Sequence, residues 1–210
     1  MHQRILTAVL ASFALSVAAL AADPAAGGPA DAFQVNYASN LNIGDSFINI
    51  SNTGAVSGTD PAGRICANVY AFDPAEEMIS CCTCQITPNG LNSLSTLTDV
   101  ISNTLTPGVP TSVVIKLLAT LPNGTTCDAG NAGIPFTAAQ LATGMLAWGT
   151  TLHQAPDSTY QVTETPFQTA VLSTTELAKL NSYCSFIQVL GSGFGICKSC
   201  QAGGLGAATK

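Results

Sequence analysis

Met78-Ile79-Ser80-Cys81-Cys82-Thr83-Cys84-Gln85-Ile86 carries three of the eight cysteines of a 210-residue chain and reads as a strand closed by the turn sequence Pro88-Asn89-Gly90. In extended chain, successive side chains point to opposite faces. On that alternation Cys82 and Cys84 share a face with Met78 and Ile86, and Cys81 points the other way with Ile79. Cys81 and Cys84 would lie about 10 Å apart at strand rise, beyond disulfide reach. Each of the three therefore needs a distant partner, drawn from Cys66, Cys127, Cys184, Cys197 and Cys200. Spacing alone does not choose among the pairings.

Other strands flank this one. Phe33, Val35 and Tyr37 alternate with Gln34, Asn36 and Ala38, and residues 46–51 form a second strand ended by Asn52-Thr53-Gly54. Residues 64–72 place Ile65, Ala67, Val69 and Ala71 on one face and Cys66, Asn68, Tyr70 and Phe72 on the other, and Asp73-Pro74 breaks the strand. Val113 to Thr120 has a clear apolar face, whereas residues 91–105 fit a strand or a short helix equally well. In residues 145–153, Leu146, Trp148, Thr150 and Leu152 share a face, read here as inward. Residues 159–172 continue as a strand broken near Pro166.

Two capping boxes stand out. Thr137-Ala138-Ala139-Gln140 opens a short helical turn before Gly144. Ser173-Thr174-Thr175-Glu176 opens a helix over about residues 174–190, with Leu177, Leu180, Cys184 and Ile187 on one face and Gly191 as the stop. The expected fold is mainly β: an antiparallel sandwich, immunoglobulin-like or related, with one C-terminal α-helix and disulfide staples. A single domain is expected over residues 32–202, followed by a mobile tail, 203–210.

Residues 1–21 read as a signal peptide: Arg4, then a charge-free apolar run, then Ala19-Leu20-Ala21 for cleavage. Residues 22–31, small and rich in Pro and Gly, read as a flexible leader. Removing Arg4 leaves five basic against twelve acidic residues, a net charge of −7. That balance argues against nucleic-acid and anionic-membrane partners. Only 9% of residues are charged, so the surface must be largely neutral, and neutral surfaces repel one another weakly. An even number of cysteines behind an export signal points to disulfides in an extracellular or periplasmic protein.

Catalytic equipment is sparse. His153 is the only histidine after cleavage, and no Ser-His-Asp or Cys-His pattern surrounds it. Glu76-Glu77 are adjacent and point apart. Asp45, Asp60 and Asp73 lie in loop-like sequence without calcium-binding spacing. Gly191 to Gly195 resembles a phosphate loop in composition only. Cys81, Cys84, Cys197 and Cys200 form two CxxC pairs that could hold zinc, but more than 100 residues separate the pairs. Cys197-Lys198-Ser199-Cys200 lacks the following helix that a redox dithiol uses to stabilise its thiolate. Structural disulfides are the expectation for all eight, with no metal and no cofactor.

Several blocks together resemble a group of uncharacterised exported cysteine-containing bacterial proteins. They are Asn68-Val69-Tyr70-Ala71-Phe72-Asp73-Pro74-Ala75-Glu76-Glu77, Cys81-Cys82-Thr83-Cys84, Ser102-Asn103-Thr104-Leu105-Thr106-Pro107, Val113-Val114-Ile115-Lys116-Leu117 and Gly191-Ser192-Gly193-Phe194-Gly195-Ile196-Cys197. The resemblance implies export and a cysteine-stapled domain. It brings no activity and no catalytic residues.

The functional expectation is a non-catalytic structural or adhesive extracellular protein, in one version a self-assembling subunit that adds the strand of Phe33, Val35 and Tyr37 to a neighbour's sheet. The alternative is a module for a cell-surface glycan or small ligand, using an aromatic face from Trp148, Tyr160, Tyr70 or Tyr183. A dithiol or zinc enzyme ranks last.

Overall fold

The structure is a computed structural model that describes residues 23–55, 60–127, 136–192 and 195–200. The expected signal peptide and C-terminal tail lie outside the described residues. Two antiparallel sheets pack as a sandwich. The first has the order β4 (Met78–Ile86), β3 (Ile65–Phe72), β6 (Val113–Thr120), β1 (Phe33–Ala38), β9 (Gln168–Thr169). The second has the order β5 (Leu91–Ser95), β2 (Ser46–Asn52), β7 (Met145–Gln154), β8 (Tyr160–Pro166). Helix α1 (Thr174–Ile187) lies against the outer face of the first sheet, giving three layers.

Strands β3 and β4 of the first sheet are buried on both faces, which explains their nearly continuous apolar sequences. On β3, Ile65, Ala67, Val69 and Ala71 enter the core between the sheets, and Tyr70 and Phe72 enter the cluster beneath the helix. Leu177, Leu180, Cys184 and Ile187 of α1 close that second cluster. The Ser173 hydroxyl accepts the Glu176 amide at 3.0 Å, as the capping box predicts. Gly191, at φ 106°, supplies the left-handed turn that ends the helical run. Glu176 also pairs with Lys116, whose ammonium stands 4.4 Å from the centre of the Phe72 ring.

Strand β4 departs from simple alternation. Ala71 faces Ser80 but Phe72 faces Met78, so one residue is looped out as a bulge. The bulge inverts the order before it. Met78 joins Cys81 under the helix, and Ile79 joins Cys82, Cys84 and Ile86 in the inter-sheet core. The cysteines themselves alternate as expected, and all eight are paired: Cys66–Cys127, Cys81–Cys184, Cys82–Cys197 and Cys84–Cys200. Residues 195–197 lie parallel to β4, with the Thr83 amide donating to Gly195 and the Cys197 amide to Thr83, so the C-terminal segment covers that edge.

The ambiguous stretch after Gly90 is both things in turn: β5, then one wide helical turn over Thr96–Val100 capped by Ser95. The strand broken at Pro166 changes sheets there, with β8 in the second and β9 in the first. The described part of the segment read as a free leader is docked: Ala26 donates to Leu172, Thr174 donates to Pro24, and Asp23 accepts from the Thr174 hydroxyl. A chain of small residues suits this contact, since a Cβ on Gly28 would stand 2.6 Å from Leu141.

Among charged groups, the Arg64 guanidinium clasps both oxygens of Asp60 and holds its carboxyl down to about 2. Hydroxyls also hold Asp23 (chiefly Ser173) and Asp157 (Thr159) below the usual carboxylate range. A depressed folded-state value adds stability above the unfolded value near 4 and loses it as acid protonates the folded group. Stability measured by urea unfolding is therefore expected to fall from about pH 4 towards pH 2, and Asp60→Asn should flatten part of that fall. An unchanged acid slope in Asp60→Asn would contradict the assignment.

The staples are also graded. With Cys82–Cys197 intact, removing Cys81–Cys184 reopens only a short loop, costing about 3 kcal/mol, whereas losing Cys66–Cys127 reopens its full 61-residue span, costing about 4 kcal/mol. Denaturation of the two paired Cys→Ala variants tests this order.

Candidate functional site

Among the described residues, the second sheet is covered on its inner face only. Its outer face is built from rows set by strand register: Ser93, Asn49, Trp148 and Pro166, then Phe47, Thr150 and Glu164, then Leu152 and Val162. Polar members are locked to one another. Asn49 donates to Thr150 at 2.8 Å, Ser93 donates to Asn49 at 2.7 Å, and Thr150 donates to Glu164 at 3.3 Å. Around them stand exposed Leu91, Leu146, Tyr160 and Val162, with Phe47, Trp148 and Leu152 half-buried.

This reverses the inward reading of Leu146, Trp148, Thr150 and Leu152. The register with β2 decides the matter: inward Ile50 and Ile48 sit opposite Ala147 and Gly149. At Gly149 the position must be small because the side-chain amide of Asn36 approaches it from β1. Gln34 donates to the Met145 carbonyl, and a Cβ on Gly149 would meet the Asn36 amide nitrogen at 2.8 Å. The larger side chains go outside. Hydrophobic alternation marks the strand but not which face is the core when the inner residues are Ala and Gly.

A second apolar patch lies on the opposite side of the molecule. Tyr183, Phe186, Val189 and Leu190 are exposed on and just after α1, Val189 to 83%. Of the aromatics considered for ligand stacking, Trp148 and Tyr160 share the outer sheet face, Tyr183 belongs to the helix patch, and Tyr70 is buried under the helix, where burial pushes its phenol up.

The assembly candidates fall elsewhere. Strand β1 is paired with β6 along its length and with β9 at Gln34 and Val35. Phe33 is buried, Val35 half-buried, and Tyr37 exposed. The strand is therefore taken up within its own sheet.

At the end of the sandwich the two sheets part. Beyond Gly149, the inner face of the β7–β8 hairpin carries Thr151, His153, Thr163 and Thr165, not apolar residues. An open groove of about 480 Å³ runs between them and the end of β1. The Asn40 amide nitrogen lies 2.9 Å from His153 Nδ1, and His153 Nε2 lies 3.0 Å from the Thr163 hydroxyl. With the amide donating, Nε2 carries the ring proton and donates to Thr163. Among the described residues no carboxylate orients the ring, whose nitrogens meet Asn40 and Thr163 instead of a triad's partners.

The other chemical candidates are spent on structure. Asp45 accepts from the Ser46 and Leu97 amides and the Ser95 hydroxyl, Asp60 holds Arg64, and Asp73 accepts from the Ala75 and Glu77 amides. The zinc alternative of Cys81, Cys84, Cys197 and Cys200 is overturned: Cys81 is bonded to Cys184 under the helix, and Cys84 to Cys200 on the other face of the sheet. The Cys197-x-x-Cys200 redox reading falls with it, because these two sulfurs bond β4 and not each other.

Comparison with protein-family models, curated proteins and solved structures returns no match. The four disulfides are consistent with an exported protein, and among the described residues no helix is long and apolar enough to cross a membrane.

Trp148 is the single tryptophan and reports directly on the outer face. Acrylamide is expected to quench it readily in the folded protein. A blue-shifted emission that resists quenching until denaturation would contradict the placement.

Proposed function

We propose that the chain is an exported, non-catalytic structural protein that assembles with copies of itself outside the cell. The observation that carries this reading is the pair of apolar patches on the two opposite outer surfaces of a three-layer molecule. One comprises Leu146, Trp148, Leu152 and Val162 on the second sheet; the other comprises Phe186, Val189 and Leu190 after the helix face. Exposed apolar patches mark interaction surfaces. Two different patches on opposite sides favour head-to-tail contact, which does not close on itself and so propagates. The low charge of the chain removes most of the repulsion that would oppose stacking. The disulfides suit a subunit exposed to the medium, where stability without chaperones or cofactors matters.

This assembly mode replaces strand addition by Phe33, Val35 and Tyr37 with contact between faces. It is tested by mixing. Leu146→Ser/Val162→Ser removes one patch, and Phe186→Ser/Val189→Ser removes the other. Light scattering is expected to show concentration-dependent growth for the parent and monomers for each variant alone. An equimolar mixture of the two should stop at dimers, because each variant retains one complementary face. A parent that stays monomeric at high concentration, or a mixture that polymerises, would sink the head-to-tail reading.

A further inference from the structure

We infer that the groove between β1 and the β7–β8 hairpin is a binding site for a neutral saccharide. It lies between the layers and on neither outer patch, so it stands apart from the self-assembly reading.

Position is the first reason. In a sandwich, inward positions are apolar because they meet the other sheet. Here Thr151, His153, Thr163 and Thr165 occupy inward positions of β7 and β8, and among the described residues only the end of β1 stands opposite them, where Asn36 reaches Thr165. β1 ends at Ala38, and β9 contributes only Gln168 and Thr169 before the chain turns to the helix. A fold that breaks its own polar–apolar pattern at one place does so at strained or functional sites. The resulting space, about 480 Å³, falls within the range of small-molecule sites.

Chemistry is the second. None of the residues lining the groove is a carboxylate, lysine or arginine. An anionic ligand such as a phosphate or a sugar acid would find no countercharge there. The polar groups are hydroxyls of Ser39, Thr151, Thr163 and Thr165 and amides of Asn36 and Gln168. Hydroxyls and amides each donate and accept, so they match a ligand whose own groups do both, which describes an alcohol more closely than a carbonyl or an amine. Pro166 stands at the rim, and the methyl groups of Thr151, Thr163 and Thr165 add carbon surface for the C–H face of a sugar ring.

Preorganisation is the third. His153 is tied to Asn40 and Thr163, the Asn36 amide donates to the Thr165 hydroxyl at 3.2 Å, and the Thr151 hydroxyl meets that of Ser46 at 3.2 Å. These contacts fix the orientation of the lining, and each hydroxyl retains further hydrogen-bonding capacity. Thr163 accepts from His153 and keeps its own proton to donate into the groove.

The test is an amide-resonance titration of the disulfide-intact protein with cellobiose, lactose, maltose and N,N′-diacetylchitobiose, each to about 20 mM, which reaches millimolar affinities. At least one sugar is expected to shift the signals of Tyr37, His153 and Thr163 saturably, leaving Leu146, Val162 and Val189 unmoved. Thr151→Val and Thr163→Val should each weaken that binding about tenfold. Circular dichroism confirms that both variants fold. The inference is overturned if none of the four sugars moves the groove signals, if shifts appear only on the outer faces, or if Thr163→Val binds as well as the parent.

Discussion

Strand β4 constrains more of this molecule than any other element. Three cysteines within four residues alternate across it, so one strand reaches into two layers at once. Cys81 ties the helix to the outer face of the first sheet. Cys82 and Cys84 tie the C-terminal segment to the inter-sheet side, and that segment runs along the otherwise open edge of β4. The three bonds span 103, 115 and 116 residues, so they fix the end of the chain to its middle. Because they are interleaved, each shortens the loop the others must close, and their effects overlap.

Much of this was legible in the sequence where physics acts locally. The β4 cysteines could not pair with one another, the β3 faces followed alternation, and Ser173 with Glu176 marked the helix start. What was not legible depended on contacts between distant segments. The bulge opposite Ala71 and Phe72 inverts Met78 and Ile79, and nothing local announces it. Trp148 looked inward because apolar residues usually are; the core beside β7 instead takes Ala147 and Gly149 opposite Ile50 and Ile48, and at Gly149 Asn36 approaches from another strand. The docking of Pro24 and Ala26 beside Leu172 is similarly long-range, made by backbone groups that leave no mark in composition.

The same reversal decides how the functional surfaces are read. With the bulky residues of β7 outside, the second sheet shows the solvent a face that is apolar at its margins and hydrogen-bonded through its middle. With the polar residues of β7 and β8 inside, the sandwich opens at one end into a neutral groove. Both features follow from one register, that of β7 against β2. Strands β3 and β4 of the first sheet have no such freedom, being buried on both faces. The exposed apolar side chains of the second sheet and of the helix region therefore lie on opposite outer surfaces.

The pairing of the cysteines is the direct test of this arrangement. Peptides from a non-reducing digest of the protein, sequenced by fragmentation that preserves disulfides, should link Cys81 to Cys184, Cys82 to Cys197, Cys84 to Cys200 and Cys66 to Cys127, with no free thiol. A link from Cys81 to Cys197 or Cys200, or a pair of free thiols on β4, would mean that the helix and the C-terminal segment do not occupy opposite faces of that strand, and the layered architecture would be wrong.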